Sequence, residues 1–119
     1  MKIKVLLVDD EKKFAVMLAK RLALRDIDVD YVHDGNAALA KVAGTPYDVI
    51  ILDVKMPGMS GIELKRVLSR SAPEIKVIFL TGHGSQADFE TGTAEGSAYL
   101  AKPLDIAMLV EKIHEITGR

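Results

Sequence analysis

The sequence predicts an α/β fold in which a parallel sheet of five strands carries helices on both faces. Short apolar runs rich in β-branched residues alternate with longer amphipathic segments along the whole chain. The apolar runs are mostly continuous, which is typical of parallel strands that are buried on both faces. The chain has 119 residues and shows no internal repeat or linker, so we expect a single domain over residues 1–119.

Five segments have the length and composition of strands. They cover residues 3–8, 29–33, 47–52, 76–80 and 98–101. The first and third are almost entirely apolar, which indicates strands covered by other elements on both sides. Because strands linked through helices run parallel, we expect their carboxyl ends to lie along one edge of the sheet, where such folds bind ligands.

The first helices are indicated by apolar periodicity and by turn residues. Residues 12–25 carry Phe14, Leu18 and Leu22 at four-residue steps, which places them on one helix face. A second helix is expected over residues 36–42, after Asp34-Gly35 ends the second strand. Residues 85–96 contain two glycines and several hydroxyl residues, so we expect only a short, weak helix there.

The remaining helices have clearer signals. Ser60 and Glu63 have the spacing of a capping box and open a third helix. Three apolar residues of that helix are expected to face inward, namely Leu64, Val67 and Leu68. Asp105 begins the last helix, whose apolar stripe consists of Ile106, Leu109, Val110, Ile113 and Ile116.

Composition excludes several classes of function. The net charge is −1 and there is no Lys/Arg-rich run, so we expect no direct binding of nucleic acid by this domain. Cysteine is absent, which excludes disulfides and thiolate metal sites. The apolar run at the amino terminus is too short for a signal peptide or a membrane span. We therefore expect a cytoplasmic protein with no membrane partner.

Polar residues follow four of the predicted strands. Asp9 and Asp10 come after the first strand and Asp53 after the third, while Thr81 and Lys102 follow the fourth and fifth. Three carboxylates at one edge would repel one another unless a cation neutralised them. Because every candidate ligand is a hard oxygen, the sequence favours Mg²⁺, or Mn²⁺, over zinc or copper.

The same set of residues could support phosphoryl transfer. A carboxylate can attack phosphorus and form an aspartyl phosphate. Asp53 is the best candidate for the nucleophile, because Asp9 and Asp10 are adjacent, as in a paired metal site. The charge on the transferred group would be stabilised by the metal, by the ammonium of Lys102 and by the hydroxyl of Thr81.

Four segments together identify a family resemblance. They are Val-Asp-Asp-Glu at 8–11, Leu-Asp-Val-Lys-Met-Pro-Gly-Met-Ser-Gly at 52–61, Leu-Thr-Gly-His at 80–83 and Tyr-Leu-Ala-Lys-Pro at 99–103. Over essentially its whole length the chain resembles the receiver domain of two-component response regulators. This resemblance implies a doubly wound, flavodoxin-like sheet with strand order 2-1-3-4-5. It also implies a signalling role in which a histidine kinase or phosphotransfer protein is the partner.

The resemblance assigns roles to individual site residues. Asp53 would accept the phosphoryl group. Asp10, Asp53 and the main-chain carbonyl of Lys55 would bind Mg²⁺ directly, and Asp9 would act through water. Thr81 and Lys102 would contact the phosphoryl oxygens.

The resemblance also implies a conformational switch. Thr81 would move toward the phosphate, Tyr99 would turn inward behind it, and the peptide bond before Pro103 would be cis. The surface of the fourth helix, fifth strand and fifth helix would then change its pairing, with homodimerisation as one hypothesis. Lys55 and His83 occupy positions that could tune the lifetime of the acyl phosphate, although each could equally be an ordinary loop residue. An output domain, fused or separate, would read the switch.

Three other functions are compatible with parts of the pattern. A pseudo-receiver would be an interaction module that is not phosphorylated, but all the residues needed for phosphorylation are present. A Mg²⁺-dependent phosphatase would need a general acid two places after the nucleophile, and that place holds Lys55. A flavodoxin-like carrier is disfavoured by the low aromatic content of 5%. The sequence therefore favours a domain that catalyses only its own phosphorylation and dephosphorylation, and not an enzyme acting on external substrates.

Overall fold

The computed structural model describes residues 2–82, 98–102 and 104–119. Within these residues the chain forms five strands and four helices. The strands are β1 (Lys4–Val8), β2 (Asp28–Val32), β3 (Val49–Asp53), β4 (Lys76–Thr81) and β5 (Ala98–Ala101). The helices are α1 (Lys12–Ala23), α2 (Gly35–Gly44), α3 (Gly61–Ser71) and α4 (Ile106–Thr117). No described helix has the length and apolar character needed to cross a membrane.

All the strand pairs are parallel, and the strands lie in the order β2-β1-β3-β4-β5. This arrangement confirms the predicted fold class and strand order. The register places Val8 beside Leu52 and Asp53 beside Leu80. The strands β1, β3 and β4 therefore end close together, and the residues that follow them share one edge of the sheet.

The core lies on both faces of the sheet because successive strand side chains point to opposite sides. On one face Leu7 of β1 belongs to a buried cluster with Leu18 of α1 and Leu109 of α4. On the other face Leu6 belongs to a second cluster with Leu64 of α3. All these side chains are fully buried. This double coverage explains why the sequences of β1 and β3 are almost continuously apolar.

Side-chain caps fix where three of the helices begin. Asp34 caps α2 by accepting a hydrogen bond from the backbone N–H of Ala37 at 2.8 Å. Ser60 and Glu63 form the predicted capping box at the start of α3. Asp105 caps α4. Since each cap satisfies backbone donors that have no partner within the helix, these residues stabilise the turns that follow the strands.

One packing prediction was wrong. Val67 was expected to face inward, but its side chain is 38% exposed. The buried face of α3 runs through Gly61, Leu64 and Leu68. Val67 lies about 60° to one side of Leu64 around the helix axis, outside this narrow contact. The weak helix predicted over residues 85–96 lies outside the described residues.

Candidate functional site at the carboxyl edge of the sheet

Three carboxylates meet where β1 and β3 end. Asp9, Asp10 and Asp53 each offer an oxygen atom, and these atoms lie within 4.8 Å of one another. Asp9 is fully buried and Asp53 is 5% exposed, whereas Asp10 is open to solvent. The structure therefore brings Asp53 together with two adjacent acids that precede it by more than forty positions in the sequence.

Backbone contacts fix the position of Asp53. The N–H of Val54 donates to the carbonyl oxygen of Leu80 at 2.9 Å, and the N–H of Gly61 donates to the carbonyl of Val54 at 2.9 Å. A Cβ atom at position 61 would collide with the carbonyl oxygen of Asp53. Glycine thus allows the start of α3 to pack directly against the end of β3, which holds Asp53 at the sheet edge.

Three hydrogen bonds fix the position of Asp9. The backbone N–H of Asp9 donates to the carbonyl of Val32 at 3.1 Å. Its Oδ1 accepts a hydrogen bond from the N–H of Glu11 at 2.9 Å. Its carbonyl oxygen lies 3.0 Å from Nδ1 of His33, which must donate because a carbonyl can only accept. The Asp9 carboxylate is therefore fixed before any ligand binds.

Lys102 brings a positive charge to the acids. Its Nζ lies 2.8 Å from Oε1 of Glu11, 2.9 Å from Oδ2 of Asp9 and 3.8 Å from Oδ2 of Asp53. The same ammonium lies 4.3 Å from the centre of the Phe14 ring. Its side chain is only 11% exposed. Lys102 therefore pairs closely with Asp9 and Glu11, and less closely with Asp53.

The surroundings of Asp53 disfavour a negative charge on its carboxyl group. Burial, together with the charge of Asp9, raises the pKa of Asp53 from 3.8 to about 7, against the lowering effects of Lys102 and of the Lys55 backbone N–H. Burial alone would lower the pKa of Lys102, but its contacts with Glu11 and Asp9 raise it overall. A bound cation would lower the pKa of Asp53, because a nearby positive charge favours the ionised carboxylate.

Thr81 is buried at the end of β4, and its Oγ1 has no hydrogen-bond partner within the described part of the chain. Buried hydroxyl groups are normally satisfied, so this one is available to a ligand. Thr81 lines a cleft of about 670 Å³ together with Asp10, Asp53, Lys55 and Lys102. The cleft thus combines acids, an ammonium and a buried hydroxyl.

The donor set fits a hard divalent cation. The three carboxylates offer only oxygen ligands, and within the described part of the chain no histidine or cysteine belongs to the group. Such oxygen sites suit Mg²⁺, Mn²⁺ and Ca²⁺ better than zinc or copper. Lys55 is exposed and lines the same cleft. Metal binding by its main-chain carbonyl stays a prediction.

The predicted conformational switch stays a prediction at each residue that it involves. Tyr99 is partly buried on β5, and its ring centre lies 6.4 Å from that of Phe79. Its inward rotation on phosphorylation stays a prediction. His83 and Pro103 lie outside the described residues, so the suggested role of His83 and the cis bond before Pro103 stay predictions too.

Sequence reasoning missed three contributors to the site. Glu11 and Phe14 contact Lys102, and His33 contacts the loop of Asp9. Glu11 stands next to the two aspartates, which is a weak local signal. Its partner lies 91 residues away, however, and no local pattern predicts that contact.

The chain matches the model of the response regulator receiver domain over residues 5–114. It is 35% identical over 118 residues to the transcriptional regulatory protein TcrA of Mycobacterium tuberculosis, covering 98% of this chain and 47% of that protein. The chain therefore spans about half the length of the curated relatives it matches.

Solved structures show the same likeness. The receiver domain of the Francisella response regulator 1452 superposes with a TM-score of 0.90 at 33% identity, over 99% of this chain and 98% of that one. A response regulator protein from Burkholderia pseudomallei, solved with a phosphorylated aspartic acid, calcium ion and citrate, has a TM-score of 0.85 at 26% identity, over 98% of this chain and 72% of that one. The sheet order, the acidic edge and these matches together show that the chain belongs to the receiver domains of two-component response regulators.

Proposed function

We propose that Asp53 accepts a phosphoryl group from the phosphohistidine of a histidine kinase or phosphotransfer protein, in a reaction that needs Mg²⁺. The observation that carries this proposal is the placement of Asp53. It is nearly buried, lies in the acidic group at the sheet edge and faces the ammonium of Lys102 at 3.8 Å. The phosphorylated aspartic acid in the related structure from Burkholderia pseudomallei supports the same chemistry.

The proposed metal ligands are Asp10, Asp53 and the main-chain carbonyl of Lys55, with Asp9 acting through water. Mn²⁺ would fit the same oxygen donors. When bound, the cation would supply positive charge against the oxygens of the transferred phosphoryl group. The calcium ion present in the Burkholderia pseudomallei structure supports the proposal of a hard divalent cation.

The side chains of the protein perform the remaining tasks. An ionised oxygen of Asp53 forms the new P–O bond while the P–N bond to the donor histidine breaks, and its electron pair stays on the imidazole. Lys102 balances charge on the phosphoryl oxygens, and the hydroxyl of Thr81, which has no partner among the described residues, donates a hydrogen bond to one of them. The domain catalyses its own phosphorylation and dephosphorylation and converts no external substrate.

The output of the switch is proposed from the relatives. TcrA is a transcriptional regulatory protein and is about twice as long as this chain. We propose that an output domain, fused or separate, reads the movements of Thr81 and Tyr99, and that phosphorylation changes the state of self-association. A single domain over residues 1–119 and a cytoplasmic location belong to the same proposal.

Intact-mass spectrometry after incubation with acetyl phosphate tests the proposal. We expect the mass of the protein to rise by one phosphoryl group in Mg²⁺ and to stay unchanged in EDTA. Asp53→Asn should show no rise although its circular dichroism spectrum matches the wild type. No rise in folded wild-type protein with saturating Mg²⁺ would favour a pseudo-receiver instead.

A further inference from the structure

The ammonium of Lys102 is engaged on the α1 side of the site. Among the described carboxylates, its two shortest contacts are with Glu11 and Asp9, at 2.8 and 2.9 Å. The 3.8 Å separation from Asp53 Oδ2 is too long for a hydrogen bond. The Phe14 ring, 4.3 Å away, supports the ammonium in this position. Lys102 is therefore held beside the proposed phosphoacceptor and makes no hydrogen bond to it.

The side chain of Glu11 pairs with Lys102 and does not cap the helix that it precedes. Glu11 is the N-cap residue of α1, yet it makes no side-chain capping bond. The backbone N–H of Glu11 donates a hydrogen bond to Oδ1 of Asp9. The Glu11 carboxylate reaches across 91 residues to Lys102 while remaining 63% exposed.

The two partners of Lys102 differ in how easily they can release it. Asp9 is fully buried, so losing its cation would leave an uncompensated charge away from water. Glu11 is exposed, and water can solvate its carboxylate as soon as the contact breaks. A phosphoryl group on Asp53 would therefore draw Lys102 away from Glu11 first.

We propose that Glu11 is a positioning residue that holds Lys102 in the unphosphorylated protein and competes with the phosphoryl group for it. This inference rests on the proposed function, in which Asp53 is the phosphoacceptor. Glu11 would favour the unphosphorylated state, because Lys102 must break its ion pair with Glu11 before it can bind the phosphoryl group. Removing the carboxylate should therefore stabilise the phosphorylated state.

The test compares Glu11→Gln with Glu115→Gln, a matched control on α4. Glu115 also pairs with a lysine, Lys112 at 3.2 Å, and is exposed to a similar degree, 62%. The probe is beryllofluoride, a mimic of the phosphoryl group, titrated by NMR at Mg²⁺ concentrations that saturate each variant. We expect Glu11→Gln to bind beryllofluoride about two- to five-fold more tightly than wild type, the range of an exposed ion pair. Glu115→Gln should bind like wild type.

A second background separates competition for Lys102 from simple charge repulsion. In Lys102→Met, Glu11→Gln should no longer tighten binding, because the residue for which Glu11 competes is gone. An equal gain in both backgrounds would show that Glu11 merely repels the anion, and it would overturn the proposal. An affinity of Glu11→Gln equal to or weaker than that of wild type would overturn it as well.

Crystal structures of metal-free wild type and Glu11→Gln at pH 8 test the proposal independently. They also decide it if Lys102→Met binds beryllofluoride too weakly for its affinity to be measured. We expect Nζ of Lys102 to move from 3.8 Å to about 2.8 Å from Oδ2 of Asp53 in the variant. An unchanged separation would overturn the proposal. If wild type itself bound no beryllofluoride in Mg²⁺, the proposed function would fail, and this outcome differs from all those above.

Discussion

Replacing Asp53 by asparagine should stabilise the metal-free protein at pH 8. The folded state raises the pKa of Asp53 from 3.8 to about 7, chiefly through burial and the charge of Asp9. At about 1.4 kcal/mol per pKa unit, this difference corresponds to an upper limit of about 4 kcal/mol for ionising Asp53 in the folded protein. Asparagine keeps the shape of the side chain and removes the charge. Relaxation of the site and entry of water around the ionised carboxylate lower this cost, so we expect a net gain of about 2 kcal/mol.

The gain should depend on pH in a defined direction. Between pH 3.8 and about 7 the folded protein binds more protons at Asp53 than the unfolded chain does. The stability of wild type relative to Asp53→Asn therefore falls as pH rises through this window, and it levels off above the window. The advantage of the variant should be largest at pH 8 and should disappear near pH 4.

Thermal unfolding in EDTA, followed by circular dichroism, measures this effect. For a chain of this size, a gain of about 2 kcal/mol raises Tm by roughly 6–10 °C. Glu74→Gln, an exposed substitution far from the site, should leave Tm unchanged at both pH values. Saturating Mg²⁺ should reduce the difference in Tm between the two proteins, because it binds wild type more tightly than Asp53→Asn and therefore stabilises it more. An Asp53→Asn variant that is no more stable than wild type at pH 8 would refute the electrostatic reasoning.

Three further substitutions, one of them with a matched control, have defined outcomes. Thr81→Val removes a buried hydroxyl that has no partner among the described residues, so it should raise stability by about 1 kcal/mol and weaken beryllofluoride binding. Gly61→Ala should cost about 1–3 kcal/mol because its Cβ would meet the Asp53 carbonyl, whereas Gly44→Ala has open space and should be neutral or stabilising by chemical denaturation. Asp10→Asn should weaken Mg²⁺ binding at least ten-fold by calorimetry, because it removes one charge of the acidic group.

Each of these expectations has a contrary result. Unchanged beryllofluoride affinity in Thr81→Val would show that its hydroxyl does not contact the phosphoryl mimic. Equal stability of Gly61→Ala and Gly44→Ala would mean that the close approach to β3 is not required. Mg²⁺ binding of wild-type strength in Asp10→Asn would remove this residue from the set of ligands.

The parts of the fold that were predictable are those with strong periodic or local signals. Two local features of the sequence are present in the folded structure as predicted. They are the continuous apolar runs of β1 and β3 and the capping box at Ser60 and Glu63. The meeting of Asp9, Asp10 and Asp53 was also predictable, because parallel strands must end at a common edge.

What could not be predicted depends on contacts between distant parts of the chain. The contact of Glu11 with Lys102 depends on rotamers and on the separation between α1 and the end of β5, neither of which has a sequence pattern. The exposure of Val67 depends on how narrow a face α3 presents to the sheet, and apolar character alone does not show that. The bond from His33 to the Asp9 carbonyl depends in the same way on the packing of β2 against β1.

The central claim is that Asp53 is the residue that carries the phosphoryl group, and chemical mapping tests it most directly. Wild-type protein is treated with acetyl phosphate and Mg²⁺ and then with borohydride, which reduces an acyl phosphate to an alcohol, and the peptides are sequenced by mass spectrometry. We predict homoserine at position 53 and nowhere else, with none in a sample prepared in EDTA. Homoserine at Asp9 or Asp10, or none at any aspartate of the folded protein, would contradict the account.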